Sequence, residues 1–150
     1  MSLANDPSPG PLATVLHLLE ATNRHDLDAL VECFSPQYVN ETPAHPLRGF
    51  TGREQVRRNW AQIFAAAPDT AVTLTGHSVT GPHVWAELVF DGTLPDGSRN
   101  LLAGVIIFRV EGGSISSARF YLEPVERVSG SVGDAIGRLA HGASPRGGTP

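Results

Sequence analysis

The sequence contains no lysine and a single cysteine, and each shortage excludes a class of chemistry. All 11 cationic residues are arginine, so no residue can form a Schiff base or serve as a phosphate-loop lysine. Cys33 alone cannot form an internal disulfide or a Cys-x-x-Cys zinc or redox site. The near absence of cysteine therefore predicts a reducing, cytoplasmic location.

Long apolar runs and clustered positive charge are also missing. The opening MSLANDPSPGPL has neither a cationic segment nor a long apolar one, and no stretch approaches the ~18 apolar residues of a membrane span. The net charge is -4 and the arginines are dispersed, which argues against a nucleic-acid groove. No two histidines have the spacing of a helical metal site. We therefore predict no membrane segment, no nucleic-acid partner, no metal and no cofactor.

A chain of 150 residues is long enough to bury a core as one domain. Residues 1–11 are rich in proline and residues 129–150 are rich in glycine, and neither segment shows hydrophobic periodicity. We therefore predict a folded domain over residues 12–128, flanked by a disordered N-terminal tail and a flexible C-terminal tail.

The first half of this domain has the hydrophobic spacing of helices. Apolar residues recur at intervals of three and four over residues 12–23 and 27–34, and Asp26 is placed to cap the second helix. A third helix is predicted to open with the capping box Thr51-x-x-Glu54 and to run until Pro68.

After Pro68 the apolar residues alternate, and glycine and proline clusters mark turns, which is typical of an antiparallel meander. Helices in the first half and strands in the second predict an α+β fold in which a cone-shaped, curved antiparallel sheet wraps around three N-terminal helices. The strands are predicted at residues 37–42, 70–79, 83–93, 101–110 and 114–123.

Four segments resemble, in this order, the nuclear transport factor 2-like superfamily and its SnoaL-like branch: HDLDALVECFSPQYVNETP, GFTGREQVRRNWAQIFAAAPD, VWAELVFDGT and GVIIFRVEGGSISSARFYLEPVE. The resemblance spans residues 12–128. It implies a cone-shaped α+β fold, a pocket between the concave sheet face and the helices, and frequent dimers. Members act as isomerases, cyclases, epoxide hydrolases, dehydratases or non-enzymatic binders, so the resemblance does not specify a reaction.

The positions that carry catalysis in these relatives are occupied here by other residue types. The base, oxyanion-hole acid and tyrosine of the ketosteroid isomerase pattern fall on Thr42, Ile106 and Leu18, which cannot perform those roles. The two histidines of many SnoaL-like cyclases fall on Glu41 and Ala118. We therefore expect neither mechanism unchanged.

Glu87 is the first candidate for a catalytic residue. Alternation over residues 83–93 places Trp85, Glu87 and Val89 on one face, and the family pattern favours that face as the concave one. A carboxylate in an apolar cavity has a raised pKa and can move protons near neutral pH. The alternative is an exposed glutamate on the outer face. Glu41 is the second catalytic candidate and would point inward only if its strand were irregular.

The short predicted strand supplies candidate substrate-binding groups. Tyr38, Asn40 and Thr42 share a face that the family register turns inward, where Asn40 and Thr42 can orient a carbonyl group or a water molecule. The alternative is that these side chains only satisfy backbone groups where the chain leaves the strand.

Apolar walls are predicted from Trp60, Trp85 and Phe120. Glu123, near the end of the last strand, is expected either at the rim of the cavity or in a surface ion pair with Arg119 or Arg127.

Two further side chains, His45 and Asp69, are candidates for the pocket entrance, with solvated positions as the alternative. Val105 and Ile107 are predicted on the outer face of the sheet, where apolar residues favour a homodimer.

These observations give one leading hypothesis and two alternatives. The leading hypothesis is a cofactor-free enzyme in which Glu87 moves a proton during cyclisation, isomerisation, dehydration or epoxide opening of a small apolar polyketide- or terpenoid-like molecule. The first alternative is a dimeric module that binds a small molecule or docks on another protein. The second is a structural partner whose interior is filled by its own side chains.

Overall fold

The computed structural model describes residues 10–127 and 130–141, so residues 1–9, 128–129 and 142–150, which include parts of both predicted tails, lie outside the described ranges. Within them the chain has the α+β architecture predicted from the sequence. The elements are α1 (Pro11–Asn23), α2 (Leu27–Glu32), β1 (Phe34–Glu41), β2 (Phe50–Thr51), α3 (Arg53–Ala66), β3 (Ala71–Thr80), β4 (His83–Thr93), β5 (Arg99–Glu111), β6 (Ser114–Pro124) and α4 (Val132–Ala140), with one turn of 3-10 helix at Pro46–Arg48.

The strands form one curved, open sheet in the order β2-β1-β6-β5-β4-β3. Strands β3 to β6 are an antiparallel meander, as predicted, whereas β1 runs parallel to β6. Helices α1 to α3 pack on the concave side of this sheet, and the core lies between the two layers.

Polar side chains cap α2 and join the end of α1 to the sheet. Asp26 caps α2, as predicted, because its Oδ1 accepts a hydrogen bond of 3.1 Å from the backbone N–H of Ala29. The Asn23 side chain donates to the Val72 carbonyl at 3.0 Å and accepts from the Val72 N–H at 2.7 Å. The end of α1 is thereby joined to β3.

Two predicted helix boundaries are wrong because the residues at these boundaries pair in the sheet. The second helix ends at Glu32, and Phe34 already belongs to β1. Pro36 lies where the register of β1 against β6 shifts, a position that tolerates a residue without an N–H. Thr51 pairs with Val39 in the sheet, so the N-cap of α3 is Gly52, with φ +100°, and the predicted capping box is absent.

Gly104 lies near the middle of β5 and has a φ of +152°. A Cβ atom at this position would overlap the carbonyl oxygen of Tyr121 on the neighbouring strand. Only glycine fits such a close approach of two backbones.

The helix α4 lies in a segment where the sequence analysis predicted no helix. Its start is stabilised by a reciprocal capping box in which the Asp134 N–H donates to Ser131 Oγ and the Ser131 N–H donates to Asp134 Oδ2. In the described part of the chain, no helix is both long and apolar enough to cross a membrane.

Candidate functional site

One end of the cone is sealed and the other is only partly covered. Going along the inner face of β4, Val84, Ala86 and Leu88 are 0% exposed, whereas Phe90 is half-buried. The inner residues of β6 show the same change, from buried Ala118 to half-buried residues beyond it. We call the half-buried apolar set at this open end the mouth; it comprises Phe50, Trp60, Phe64, Phe90, Phe120 and Leu122.

Aromatic rings of α3 and β4 pack against one another across the mouth. The Trp60 ring centroid lies 5.5 Å from that of Phe64 and 6.0 Å from that of Phe90. His25 stacks on Phe64 at 4.5 Å, and its Nε2 lies 2.7 Å from the Thr70 carbonyl oxygen. The turn between α1 and α2 therefore supports the part of α3 that carries the mouth.

Three polar side chains, on β1 and directly after it, form a line that points into the same interior. Tyr38, Asn40 and Thr42 are 1%, 8% and 8% exposed, so they have the predicted inward orientation. Asn40 lies level with Ala118 in the pairing of β1 with β6. The Tyr38 hydroxyl donates a hydrogen bond of 2.7 Å to Asn40 Oδ1, and burial raises the pKa of Tyr38, which keeps the hydroxyl protonated.

Two atoms of this polar line remain available to a ligand. Neither Asn40 Nδ2 nor Thr42 Oγ1 makes a hydrogen bond to another described residue. Every side-chain N or O atom that is fully enclosed in the described structure does have a hydrogen-bond partner. Both atoms must therefore contact accessible space. An amide N–H and a hydroxyl can together orient a carbonyl or hydroxyl oxygen.

The predicted orientation of Glu87 and Trp85 is wrong. Trp85 is 46% exposed and Glu87 is also exposed, because both lie on the outer face of β4. In the antiparallel register Trp85 is opposite Ile107 and Glu87 is opposite Val105, and directly opposed residues share a face. The Glu87 carboxylate instead accepts a hydrogen bond of 2.7 Å from the Thr75 hydroxyl. A role in an apolar cavity therefore loses its structural basis.

The other two carboxylate candidates also lie outside the interior. Glu41 is exposed on the face of β1 opposite to Asn40. Glu123 is exposed and pairs at 3.0 Å with Nε2 of His45, rather than with either predicted arginine. The backbone N–H of His45 donates to the Thr42 carbonyl at 2.7 Å, and the contact between His45 and Glu123 joins the loop after β1 to the end of β6 at the rim.

Asp69 holds two chain segments together instead of facing a ligand. Its carboxylate accepts hydrogen bonds of 2.8 Å from the backbone N–H and from the hydroxyl of Thr93, and these bonds lower the pKa of Asp69. Nearby, Arg99 Nε donates to Asp91 at 2.9 Å, and this hydrogen bond lowers the pKa of Asp91. Both carboxylates are therefore ionised at neutral pH.

Four cavities stand out among the described residues, and none of these four is lined by Tyr38, Asn40 or Thr42. One of about 790 Å³ lies at the sealed end beside His17 and Cys33. There burial, followed by the neighbouring charge of Glu32, raises the pKa of the Cys33 thiol to about 11. Two cavities of about 580 and 250 Å³ flank Trp85 on the outer face of the sheet. A cavity of about 440 Å³ is lined in part by Asp69.

The described residues include no group of three histidine, cysteine, aspartate or glutamate side chains placed to hold a metal ion. Sequence reasoning missed Phe50 and Phe90 as site residues. Phe90 shares its face with Leu88, so it would have followed from the correct orientation of β4. Phe50 gave no such signal because its two-residue strand was not predicted.

Taken together, the fold and the mouth define a cone-shaped α+β domain with a narrow apolar opening. The chain belongs to the SnoaL-like domain family, whose family model matches residues 15–118. No curated protein matched the chain significantly.

Solved structures share this fold at low sequence identity. IdmH of Streptomyces antibioticus, a proposed polyketide cyclase, is 27% identical, with a TM-score of 0.63 over 75% of this chain and 91% of IdmH. A Mycobacterium tuberculosis protein in complex with estradiol-17beta-hemisuccinate is 22% identical, with a TM-score of 0.66 over 75% and 94% of the two chains. An M. tuberculosis LEH-like epoxide hydrolase is 17% identical, with a TM-score of 0.66 over 75% and 82%. The last two similarities concern the fold alone.

Proposed function

We propose that this protein binds a small, uncharged and largely apolar molecule at the mouth, of the size and polarity of a polyketide- or terpenoid-like intermediate. One observation carries the proposal: Asn40 and Thr42 are both buried behind an aromatic opening and keep hydrogen-bonding atoms that no described residue uses. A small number of placed polar groups in an apolar surround is the usual composition of a small-molecule site.

The interior favours a neutral ligand with an oxygen acceptor. No buried residue in the described ranges carries a charged side chain, so a carboxylate or ammonium group would lose its hydration without gaining a partner. Because Asn40 Oδ1 is occupied by the Tyr38 hydroxyl, the amide offers its N–H groups. A ketone or hydroxyl oxygen is the complementary group.

We expect entry of a ligand to displace aromatic side chains of the mouth. The Trp60 ring packs against Phe64 of the same helix and against Phe90 of β4. A change of rotamer at Trp60, which is half-buried, would widen the mouth.

Proton transfer by a buried carboxylate is not part of the proposal. Glu87 and Glu41 are both exposed on faces that point away from the interior. A cyclisation of a bound molecule would then depend mainly on how the apolar walls fold the ligand, with Asn40 and Thr42 polarising its oxygen.

A matched pair of probes tests the binding proposal. Isothermal titration calorimetry with 2-acetylnaphthalene, an aromatic ketone, is expected to show binding, whereas 2-naphthoate, its carboxylate counterpart, is expected to bind at least about tenfold more weakly. Asn40→Leu should weaken ketone binding by about tenfold, which corresponds to ~1.4 kcal/mol. Glu87→Gln is the control and should leave binding unchanged. Equal affinity for the two probes, or no effect of Asn40→Leu, contradicts the proposal.

We also propose that the outer face of the sheet pairs with a second copy of the chain. Trp85 and Tyr121 are 46% and 42% exposed there, around Ile107 at the centre of the face. Cavities of about 580 and 250 Å³ lie on either side of Trp85. A protruding ring beside a hollow is self-complementary, because a two-fold axis places each ring in the hollow of the other copy.

The mass in solution tests this pairing. Light scattering after gel filtration should give a dimer for the natural sequence and a monomer for Trp85→Ser. Leu16→Ser is the matched control, since Leu16 is 45% exposed on α1, away from the sheet face. A monomeric natural protein, or a Leu16→Ser variant that dissociates equally, rules the pairing out.

A further inference from the structure

The helix α4 carries an apolar stripe that no other described element covers. Val132, Ile136 and Leu139 lie on one side of the helix and are 79%, 55% and 77% exposed, while Asp134 and Arg138 lie on the other side. A helix of nine residues is not stable alone in water, even when it is well capped. The stripe therefore requires an apolar partner surface.

The connection to β6 determines which surface is within reach. The backbone N–H of Val125 donates a hydrogen bond of 2.9 Å to the Leu101 carbonyl, which fixes the chain to the rim of the open end. Ser131, the N-cap of α4, is six residues further on, and six extended residues span at most roughly 20 Å. The helix is thus held close to the mouth at a high effective concentration.

The mouth is the apolar surface at that end of the cone. Leu122 belongs to it and lies only three residues before Val125, and Trp60 and Phe90 are half-buried beside it. Nine helical residues are about 13 Å long, which is enough to cover two or three such side chains. The stripe and the mouth are both apolar, both incompletely buried and joined by a short connection.

The geometry points to α4 as a cover for its own cone: its stripe packs over the mouth, with Ile136 at the centre of the contact. This packing shields Trp60 and Phe90 from water and completes the burial of Leu122. The described arrangement, with the stripe exposed, is then the open member of an open and closed pair. The packing of α4 on the mouth joins two parts of one chain and does not depend on the identity of a ligand.

Tryptophan quenching tests the contact in the full-length chain. The Trp85→Phe background leaves Trp60 as the only tryptophan, since the sequence has two. In this background, Ile136→Glu is expected to raise the acrylamide quenching constant of Trp60 by about twofold, because a buried glutamate disfavours docking. Arg138→Glu is the matched control: it introduces the same residue on the opposite side of α4 and should leave quenching unchanged.

Each possible result is decisive. A rise for Ile136→Glu alone supports the cover, provided that circular dichroism shows the fold retained. No change for either variant overturns the inference, and so does an equal change for both, which would indicate a general effect of charge. An effect of Ile136→Glu that appears only at high protein concentration also overturns it, because the stripe would then be packing on a second copy.

Discussion

The two faces of the sheet are built from neighbouring residues and have opposite properties. On β4, Leu88 is fully buried against the helices, whereas Glu87 is exposed and bonded to Thr75. On β1, Asn40 is buried and Glu41 is exposed. The inner face therefore carries uncharged polar side chains, and the outer face carries the charged side chains together with exposed Trp85 and Tyr121. Binding of a neutral molecule and pairing with a second copy are assigned to different faces for that reason.

The largest effect is expected at Gly104, where the backbones of β5 and β6 approach closely. Gly104→Ala should destabilise the protein by about 4 kcal/mol or more, because the new Cβ overlaps the Tyr121 backbone and the residue has a positive φ. Urea denaturation provides the measurement. Gly76→Ala is the matched control, since its Cβ would lie 3.4 Å from the flexible side chain of Glu87. Similar stabilities for the two variants would show that glycine is not required for the close approach at position 104.

A paired substitution on β4 tests the contrast between the faces directly. Leu88→Ala should lower the free energy of unfolding by about 2–5 kcal/mol, since it leaves a cavity in the core. Glu87→Ala, one residue away, should change it by less than about 0.5 kcal/mol because the side chain is exposed. Comparable losses from both substitutions would mean that β4 is oriented differently from the description above.

The polar line of the inner face predicts sensitivity to alkaline pH. Tyr38 has a raised pKa, so the folded protein keeps its proton where the unfolded chain loses it. Its contribution to stability is complete below the unfolded pKa of about 10 and falls as the pH rises above that value. Tyr38→Phe should remove this part of the pH dependence while costing about 1–3 kcal/mol at neutral pH, because Asn40 Oδ1 loses its donor.

Thermal denaturation between pH 8 and pH 11 can separate these two effects. If the natural sequence and Tyr38→Phe lose stability in parallel above pH 10, Tyr38 is not protected as described.

The smallest effect is expected at the rim. Glu123→Gln removes the charge that pairs with His45, but both side chains are more than a third exposed. Exposed pairs contribute about 0–1 kcal/mol, so the change in unfolding free energy should stay within that range. Chemical denaturation at low and high salt measures it, and a loss above 2 kcal/mol would indicate that the loop carrying His45 has a larger structural role.

The successes and failures of sequence reasoning trace to different physical signals. The inward orientation of Asn40 and Thr42 followed from the family register, and the meander followed from alternation and turns. The orientation of β4 failed because Trp85 and Val89 on one face and Val84 and Leu88 on the other are similarly apolar. The turn between β4 and β5 is centred on Asp96, so odd-numbered residues of β4 pair with odd-numbered residues of β5. Trp85 therefore pairs with Ile107 and shares its face of the sheet, and Ile107 was predicted on the outer face.

Other features left no readable signal in the sequence. Phe50 and Thr51 form a strand too short to show a pattern, and their pairing with β1 displaced the predicted cap of α3. The helix α4 contains two glycines, and its stripe lies in a segment whose composition is typical of a flexible tail.

By itself the sequence determined the class of the fold, since hydrophobic spacing selects helices and strands one segment at a time. It also determined the types of polar group available on β1. Only the tertiary structure decided which face of β4 is buried, because that choice depends on the register with β5 and on the packing of three helices, which no single segment encodes. Whether a carboxylate lies in a dry interior or in water was decided at that level.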